Sequence, residues 1–454
     1  MIDRRAFFAT TSMALASTGF GAVASDIDVG RSLDRLIFGN RAEFSDALQG
    51  LRARGGLDLT AGLIFALRFT PHFQDQIRDV LVEITGEAKR KDWHDWMLWQ
   101  EASAQIVPHA SYAELKRSLF LRIDPNFDIF LKPSYLARDQ MKIRLEEITW
   151  GGVRKDGIPS LDKPNLIPAG DADYLKDDDL VFGVAINGDM RAYPLRIMGW
   201  HEMFNDVIGG VNVALAYCTL CGSGILFDTD VGRRAPLVFG SSGFLYRSNK
   251  LMFDRETHSL WNQFTGKPVV GPLVDSGLEL KQRPVVIEPW GTWRKRNPGT
   301  KVLSLRTGYG RDYGSGVVYR DYFASPDLMF PTITDQTRLK PKDYVFGIRT
   351  FGGAKAWPVK AFAGGRVIND EVAGKSVVLV GDQSGRTVRA FERAGHNFKS
   401  DGKGGLIADG QSWGIGEEAL TGADGRKLPR VAGHIAYWFA WDGYLGAKSE
   451  FYDK

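Results

Sequence analysis

Cysteine is nearly absent: the 454 residues contain two, Cys218 and Cys221, three positions apart in "LAYCTLCGSG", residues 215–224. A second Cys-x-x-Cys is lacking, so an ion held by this pair would need ligands from elsewhere in the chain. No segment beyond the amino terminus approaches about 18 uninterrupted apolar residues, which excludes a membrane-spanning helix. There is no Lys/Arg block and the net charge is only +4, which argues against nucleic acid and membrane surfaces as partners. Gly-rich phosphate loops, nucleophile elbows and His-Glu-x-x-His patterns are also missing, leaving common nucleotide and hydrolase chemistries unsupported.

What is present begins with a leader. Arg4-Arg5 precede Phe7-Phe8, a short apolar stretch follows, and Ala22-Val23-Ala24 supplies a small-x-small cleavage pattern. Residues 1–24 therefore read as a twin-arginine-type signal peptide, and the mature protein as exported, periplasmic or beyond; ordinary secretion is the alternative. The remaining length suggests two to four domains, and an apolar content of 44% suffices for real cores.

Residues 31–145 carry apolar residues at helical spacing, as in "DLTAGLIFALRFT" and "FQDQIRDVLVEITG", and predict a helical domain. Trp93, Trp96 and Trp99 share one helix face in a segment that resembles the tryptophan-rich helices of bacterial HEAT-like repeats. Such a stripe reads first as core packing and second as a surface for a protein partner, and His94 reads as a solvated neighbour. From about 150 onward short β-type runs alternate with Gly and Pro. The expected fold class is α+β: a helical domain followed by two tandem, related β-rich modules.

The two modules are read from a repeat. Residues 179–215 align without a gap to residues 343–379 at an offset of 164, and the Trp290/Trp293 pair answers Trp438/Trp441. "LMFD" before Trp261 likewise answers "LIAD" before Trp413. The modules are placed at 150–305 and 335–454, with a linker at 306–334 and the second copy degenerate. Identities such as Pro194/Pro358, Asn205/Asn369 and Asp206/Asp370 point to fold, the Asn-Asp pair being turn chemistry between strands. Differences point to function: His201 faces Gly365, Glu202 faces Arg366, Cys218 faces Asp382 and Cys221 faces Gly385.

Three uses of the cysteines compete. A thioredoxin-like redox pair needs a helix after the second cysteine, yet Gly222-Ser223-Gly224 leads into strand-like "ILFD". A metal knuckle fits strand, Cys-x-x-Cys-Gly, strand, with His201 as third ligand and zinc or copper as the ion. A disulfide suits an oxidising compartment but closes only a small loop. The working expectation is a metal site formed by Cys218, Cys221 and His201. Its rivals are an interaction protein with a structural disulfide and a thiol–disulfide oxidoreductase.

The runs "RAYP", "HE", "ND", "YCTLCGS", "SNKLMFDRET" and "SLWNQ" resemble a bacterial family, domain of unknown function 3179, whose hallmark reads Tyr-Cys-Pro-Leu-Cys-Gly-Ser. The resemblance is dense over about 150–280. It implies that His201, Glu202, Cys218, Cys221, Arg191, Tyr193, Asp254 and Arg255 match the family pattern, and it brings no activity. Thr219 stands where the family usually has Pro, and His258 stands where a small or acidic residue is expected, as a surface histidine or an extra ligand. Glu202 beside His201 is the candidate catalytic residue, a general base for a metal-bound water, with a structural ion pair to Arg191 or Arg255 as the alternative.

Overall fold

The computed structural model describes residues 28–233 and 235–453, so the leader expected over 1–24 lies outside the described residues. The fold is α+β, with the long helices first and the sheets after them. Six helices, Val29–Phe38, Arg41–Arg54, Thr60–Phe69, Gln74–Thr85, Trp93–Ala102 and Tyr112–Ile123, build the front. Their ends follow local chemistry. Asn40 and Glu43 form a reciprocal capping box, and Gly86 closes a helix at φ 70°, a left-handed position where glycine avoids a Cβ penalty. Trp93, Trp96 and Trp99 are all buried, so the tryptophan stripe is core packing. His94 is exposed, its Nε2 within 3.3 Å of the Met329 carbonyl. Among the described residues no helix is long and apolar enough to cross a membrane.

The helices share one core with the sheets. Phe120 and Phe127 pack on Phe244 at 5.2 and 4.5 Å between ring centroids, and Phe130 packs on Phe253 at 5.0 Å. Phe244 and Phe253 belong to strands Phe239–Tyr246 and Asn249–Asp254, in a five-stranded sheet whose first member, Ile148–Trp150, leaves the helical region directly. Both cysteines lie in this same continuous core.

A strand pattern occurs at two places 164 residues apart. Leu180–Ile186 pairs with Asp189–Pro194, setting Val181 against Pro194; Tyr344–Thr350 pairs with Gly353–Pro358, setting Val345 against Pro358. Met203–Ile208 and Val211–Cys218 set Asn205 against Ala214, and Arg366–Val372 and Lys375–Asp382 set Asn369 against Val378. The side chains repeat as well. Asn205 exchanges two hydrogen bonds with the backbone of Phe239, and Asn369 does the same with Phe398. Asp206 accepts from Arg191 and Tyr193; Asp370 accepts from Lys355 and Trp357. Trp293 lies so close to Gly183, and Trp441 to Gly347, that a Cβ on either glycine would fall within 2.3 Å of a ring carbon.

The correspondence stops at the excursions. "LMFD" pairs Met252 with Trp261 inside the five-stranded sheet, whereas "LIAD" pairs Leu406 with Trp413 at the far end of an eight-stranded sheet. The two halves also interlock. Tyr437 of the second donates its backbone N–H to the Cys221 carbonyl of the first at 2.8 Å. Arg389 of the second sits between Glu288 of the first and Glu417, with all four N–O contacts at 2.8–3.0 Å and every partner buried.

Candidate functional site

Cys218 is the last residue of strand Val211–Cys218, and Ser223 opens the antiparallel strand Ser223–Asp228 opposite it. The intervening turn closes with Cys221 N–H on the Cys218 carbonyl and Gly222 N–H on the Thr219 carbonyl, both at 3.2 Å. Gly222 takes φ 58°, a left-handed value that Gly adopts freely, and a strand follows with no helix. This turn folds the cysteine side chains together: the Sγ atoms are 2.8 Å apart, and both residues are buried free thiols.

The hairpin Phe239–Tyr246/Asn249–Asp254 covers them. Its two-residue loop, Arg247-Ser248, holds φ 47° and 70°, values unusual for non-glycine residues. That strained loop points the Ser248 carbonyl at the thiols, 3.3 Å from Cys221 Sγ and 3.9 Å from Cys218 Sγ. Asn249 Nδ2 donates to Cys221 Sγ at 3.3 Å and to Gln263 Oε1 at 2.8 Å, and Gln263 Nε2 is fixed by the Ala216 and Ser223 carbonyls. Ser248 Oγ and Asn249 Oδ1 are buried and find no hydrogen-bond partner among the described residues. Burial, ahead of the neighbouring Cys218 sulfur, pushes the Cys221 thiol well above its ordinary range, so it is a protonated, slow nucleophile near neutral pH.

His201 and Glu202 part company at a helix end. His201 is the last residue of helix Leu195–His201, and Glu202 caps it at φ 55° before strand Met203–Ile208 begins. The His201 ring is buried with Nδ1 2.9 Å from the Pro159 carbonyl and Nε2 2.6 Å from the Tyr313 hydroxyl; burial lowers its pKa. Both nitrogens are committed, and among the described residues no group of three or more His, Cys, Asp or Glu side chains is placed to hold a metal ion. The structure does not bring His201 into one group with the thiols.

Glu202 does approach the cysteine turn. Its Oε1 accepts from Thr219 Oγ1 at 2.9 Å and from Tyr319 OH at 3.3 Å, and its Oε2 accepts from Lys250 Nζ at 2.7 Å. The ion pair is buried, and its cation is Lys250; Arg191 is taken by Asp189 and Asp206, and Arg255 by Asp156. Thr219 ties the turn through a hydroxyl that proline lacks. Asp254 is a turn anchor, accepting from Thr257 and from Trp261 Nε1, and His258 is half-buried against Phe253.

Sequence reasoning missed the strap. Residues 308–327, part of the segment 306–334 read as a linker, lay three tyrosines on the site: Tyr313 on His201, Tyr319 on Glu202, and Tyr322, whose hydroxyl donates to the Leu220 carbonyl at 2.6 Å. The density of tyrosine in that stretch was the available signal. Lys250, Asn249 and Ser248 were also missed, although they stand in the "SNK" run.

Comparison with curated proteins and with solved structures finds no match. A family described as protein of unknown function (DUF3179) matches residues 155–448, which takes in both sets of repeated strands, the cysteine turn and the strap. With that much of the chain matched, the protein belongs to the DUF3179 family.

Proposed function

We propose that this is an exported protein built on two copies of one β module, in which the Cys218–Cys221 pair of the first copy works as a buried dithiol–disulfide couple. The observation that carries the reading is the 2.8 Å approach of two sulfurs on one tight turn, with His201 engaged elsewhere. Oxidation joins the sulfurs and releases two electrons and two protons; with glutathione disulfide as oxidant, two glutathione thiols are produced. The turn reports its state to both neighbours, since the Cys221 carbonyl holds the Tyr437 N–H and the Leu220 carbonyl holds the Tyr322 hydroxyl. Burial and the raised Cys221 pKa suit a slow regulatory or structural couple better than an exchanger of substrate disulfides.

A second reading, a soft ion such as copper(I) or zinc on the two thiolates, is favoured by the unpartnered Ser248 Oγ and Asn249 Oδ1 beside them. One experiment separates the two: thiol counting in denaturant, intact mass and elemental analysis of protein recovered from the exported fraction. The couple requires metal-free protein that loses both thiols and two hydrogens on treatment with glutathione disulfide. Stoichiometric zinc or copper replaces it with the metal reading.

A further inference from the structure

The halves meet in a cleft of about 960 Å³ that lies beside the cysteine turn, with Tyr217, the residue before Cys218, on its wall. Both halves line it with the same positions: Asp179 and Asp343, Leu180 and Tyr344, Leu195 and Val359, Arg196 and Lys360. The strap closes one side, where Phe323 stays 42% exposed. The cleft thus sits where two matching surfaces face each other, and the two sides differ in charge.

In the first half Arg196 is spoken for: it donates to Asp179 at 3.1 Å and to the carbonyls of Tyr174 and Tyr313. Its counterpart Lys360 is exposed; Asp343 and Asp179 each accept from the backbone N–H three residues earlier, Lys340 and Lys176, but among the described residues only Asp179 also takes a salt bridge. Lys342 donates to the strap carbonyls of Tyr322 and Ser325, and Arg386 to the Tyr344 hydroxyl at 2.6 Å. Among the described residues none of Lys342, Lys360 and Arg386 pairs with a carboxylate. The cleft's acids are Asp179, which Arg196 neutralises, Asp343, and Asp178 at the exposed rim.

Aromatic faces lie next to these cations. Tyr344 and Tyr437 stack at 4.6 Å, and the Arg386 guanidinium rests 4.7 Å from the Tyr344 ring centre. A guanidinium spread over one ring of a stacked pair, in a cleft that also holds an exposed phenylalanine, suits a flat ring whose own carboxylate completes the charge. A plain inorganic anion would leave the aromatic wall unused, and a neutral ring would leave the cations unpaired.

We propose that this cleft is a binding site for a small aromatic carboxylate. The inference rests on the cleft alone and is independent of the oxidation state of the cysteines.

Benzoate is the probe, titrated calorimetrically into the full-length protein beside acetate, inorganic phosphate and benzyl alcohol. Saturable benzoate binding with a dissociation constant at or below about 1 mM is expected, with the other three at least about tenfold weaker. Arg386→Ala and Lys360→Gln should each weaken benzoate by about tenfold or more, while Arg349→Ala, in a different cleft, leaves it unchanged. Lys360 is exposed, so its variant stays informative should Arg386→Ala impair folding. Acetate or phosphate matching benzoate, no saturable benzoate binding, or benzoate binding indifferent to both substitutions overturns the proposal. Repeating the titration with Cys218→Ser/Cys221→Ser separates it from the cysteine reading: unchanged benzoate binding is expected there, and its loss would overturn the claimed independence.

Discussion

The two β halves hold the same ladders, the same asparagine bridge and the same tryptophan-on-glycine packing, yet the turn that carries two buried cysteines in one half begins with an exposed aspartate in the other. Cys218 and Cys221 are buried, whereas Asp382, opposite Cys218 in the alignment, is exposed where its strand ends, and only Gly385, opposite Cys221, is buried. The difference comes from what is inserted later in each half. In the first, strands Phe239–Tyr246 and Asn249–Asp254 form a separate sheet beneath the helices and bring Ser248, Asn249 and Lys250 onto the turn. In the second, the excursion adds its strands to the far side of the eight-stranded sheet, beyond Thr387–Glu392. The shared scaffold sets where a turn stands; the insertion decides whether it becomes an interior.

The comparison is broken hardest at the contact between the halves. Arg389→Leu leaves Glu288 and Glu417 buried around an apolar side chain, and a loss of about 3–5 kcal/mol is expected from removing one partner of a buried charge network. Urea unfolding followed by circular dichroism measures it. The same network sets acid resistance. Burial would raise the Glu417 carboxyl, but Arg389, Arg430 and Arg296 outweigh it and bring it to about 2, below its ordinary 4.5. A carboxylate depressed in the folded state stabilises fully above about pH 4.5 and loses that contribution as the pH falls toward 2. Arg389→Leu should therefore move acid unfolding to higher pH.

A smaller break concerns the buried pair that only the first half has. Lys250→Met strands the Glu202 carboxylate among Thr219 and Tyr319, at an expected cost of about 3 kcal/mol. Glu202→Gln/Lys250→Met, which removes both charges, should recover most of that loss, because replacing a buried pair entirely costs less than halving it. A double variant as unstable as the single would show that Glu202 is held by something other than Lys250.

The alignment suggests Cys218→Asp/Cys221→Gly as a neutral exchange, since the second half tolerates those residues. Burial says otherwise: an aspartate at 218 would lose water with no cation assigned to it, costing several kcal/mol. Cys218→Ala/Cys221→Ala keeps the turn apolar and should cost about 1–2 kcal/mol in thermal unfolding. Equal stability of the Asp/Gly and Ala/Ala proteins would mean that the turn opens to solvent.

Those outcomes mark how far sequence reached. The α+β class, the helical front and the strand following Cys221 were legible because each rests on local periodicity. The tryptophan stripe was legible as core for the same reason. The partners of the thiols were not. Ser248 and Asn249 lie about thirty residues away and reach the site only through a hairpin whose loop adopts two left-handed conformations without glycine. The divergence of His201 and Glu202 was not legible either: the helix ends between these sequence neighbours, which sends one side chain to the strap and the other to the turn. Tyr313 and Tyr319 were hidden because a segment joining two similar halves reads as a linker until its ends are placed in space.

The smallest expected effect tests the turn itself. Thr219 stands where the resemblance drawn from the sequence expects proline, and its hydroxyl supplies one of the hydrogen bonds to Glu202. Thr219→Pro removes that bond, a loss of about 0.5–1.5 kcal/mol, while Tyr319 and Lys250 continue to hold the carboxylate. Proline also restricts the unfolded chain, which returns about 0.4–1 kcal/mol where the native φ suits it. The two terms oppose each other, so denaturant midpoints of parent and variant should agree within about 1 kcal/mol. Adding Glu202→Gln to both backgrounds sharpens the test. If Thr219 stabilises the turn through Glu202, the proline substitution should become neutral or favourable once the carboxylate is gone. A Thr219→Pro loss well beyond 1.5 kcal/mol, unchanged by Glu202→Gln, would mean that this chain holds its cysteine turn in a backbone geometry that proline cannot adopt.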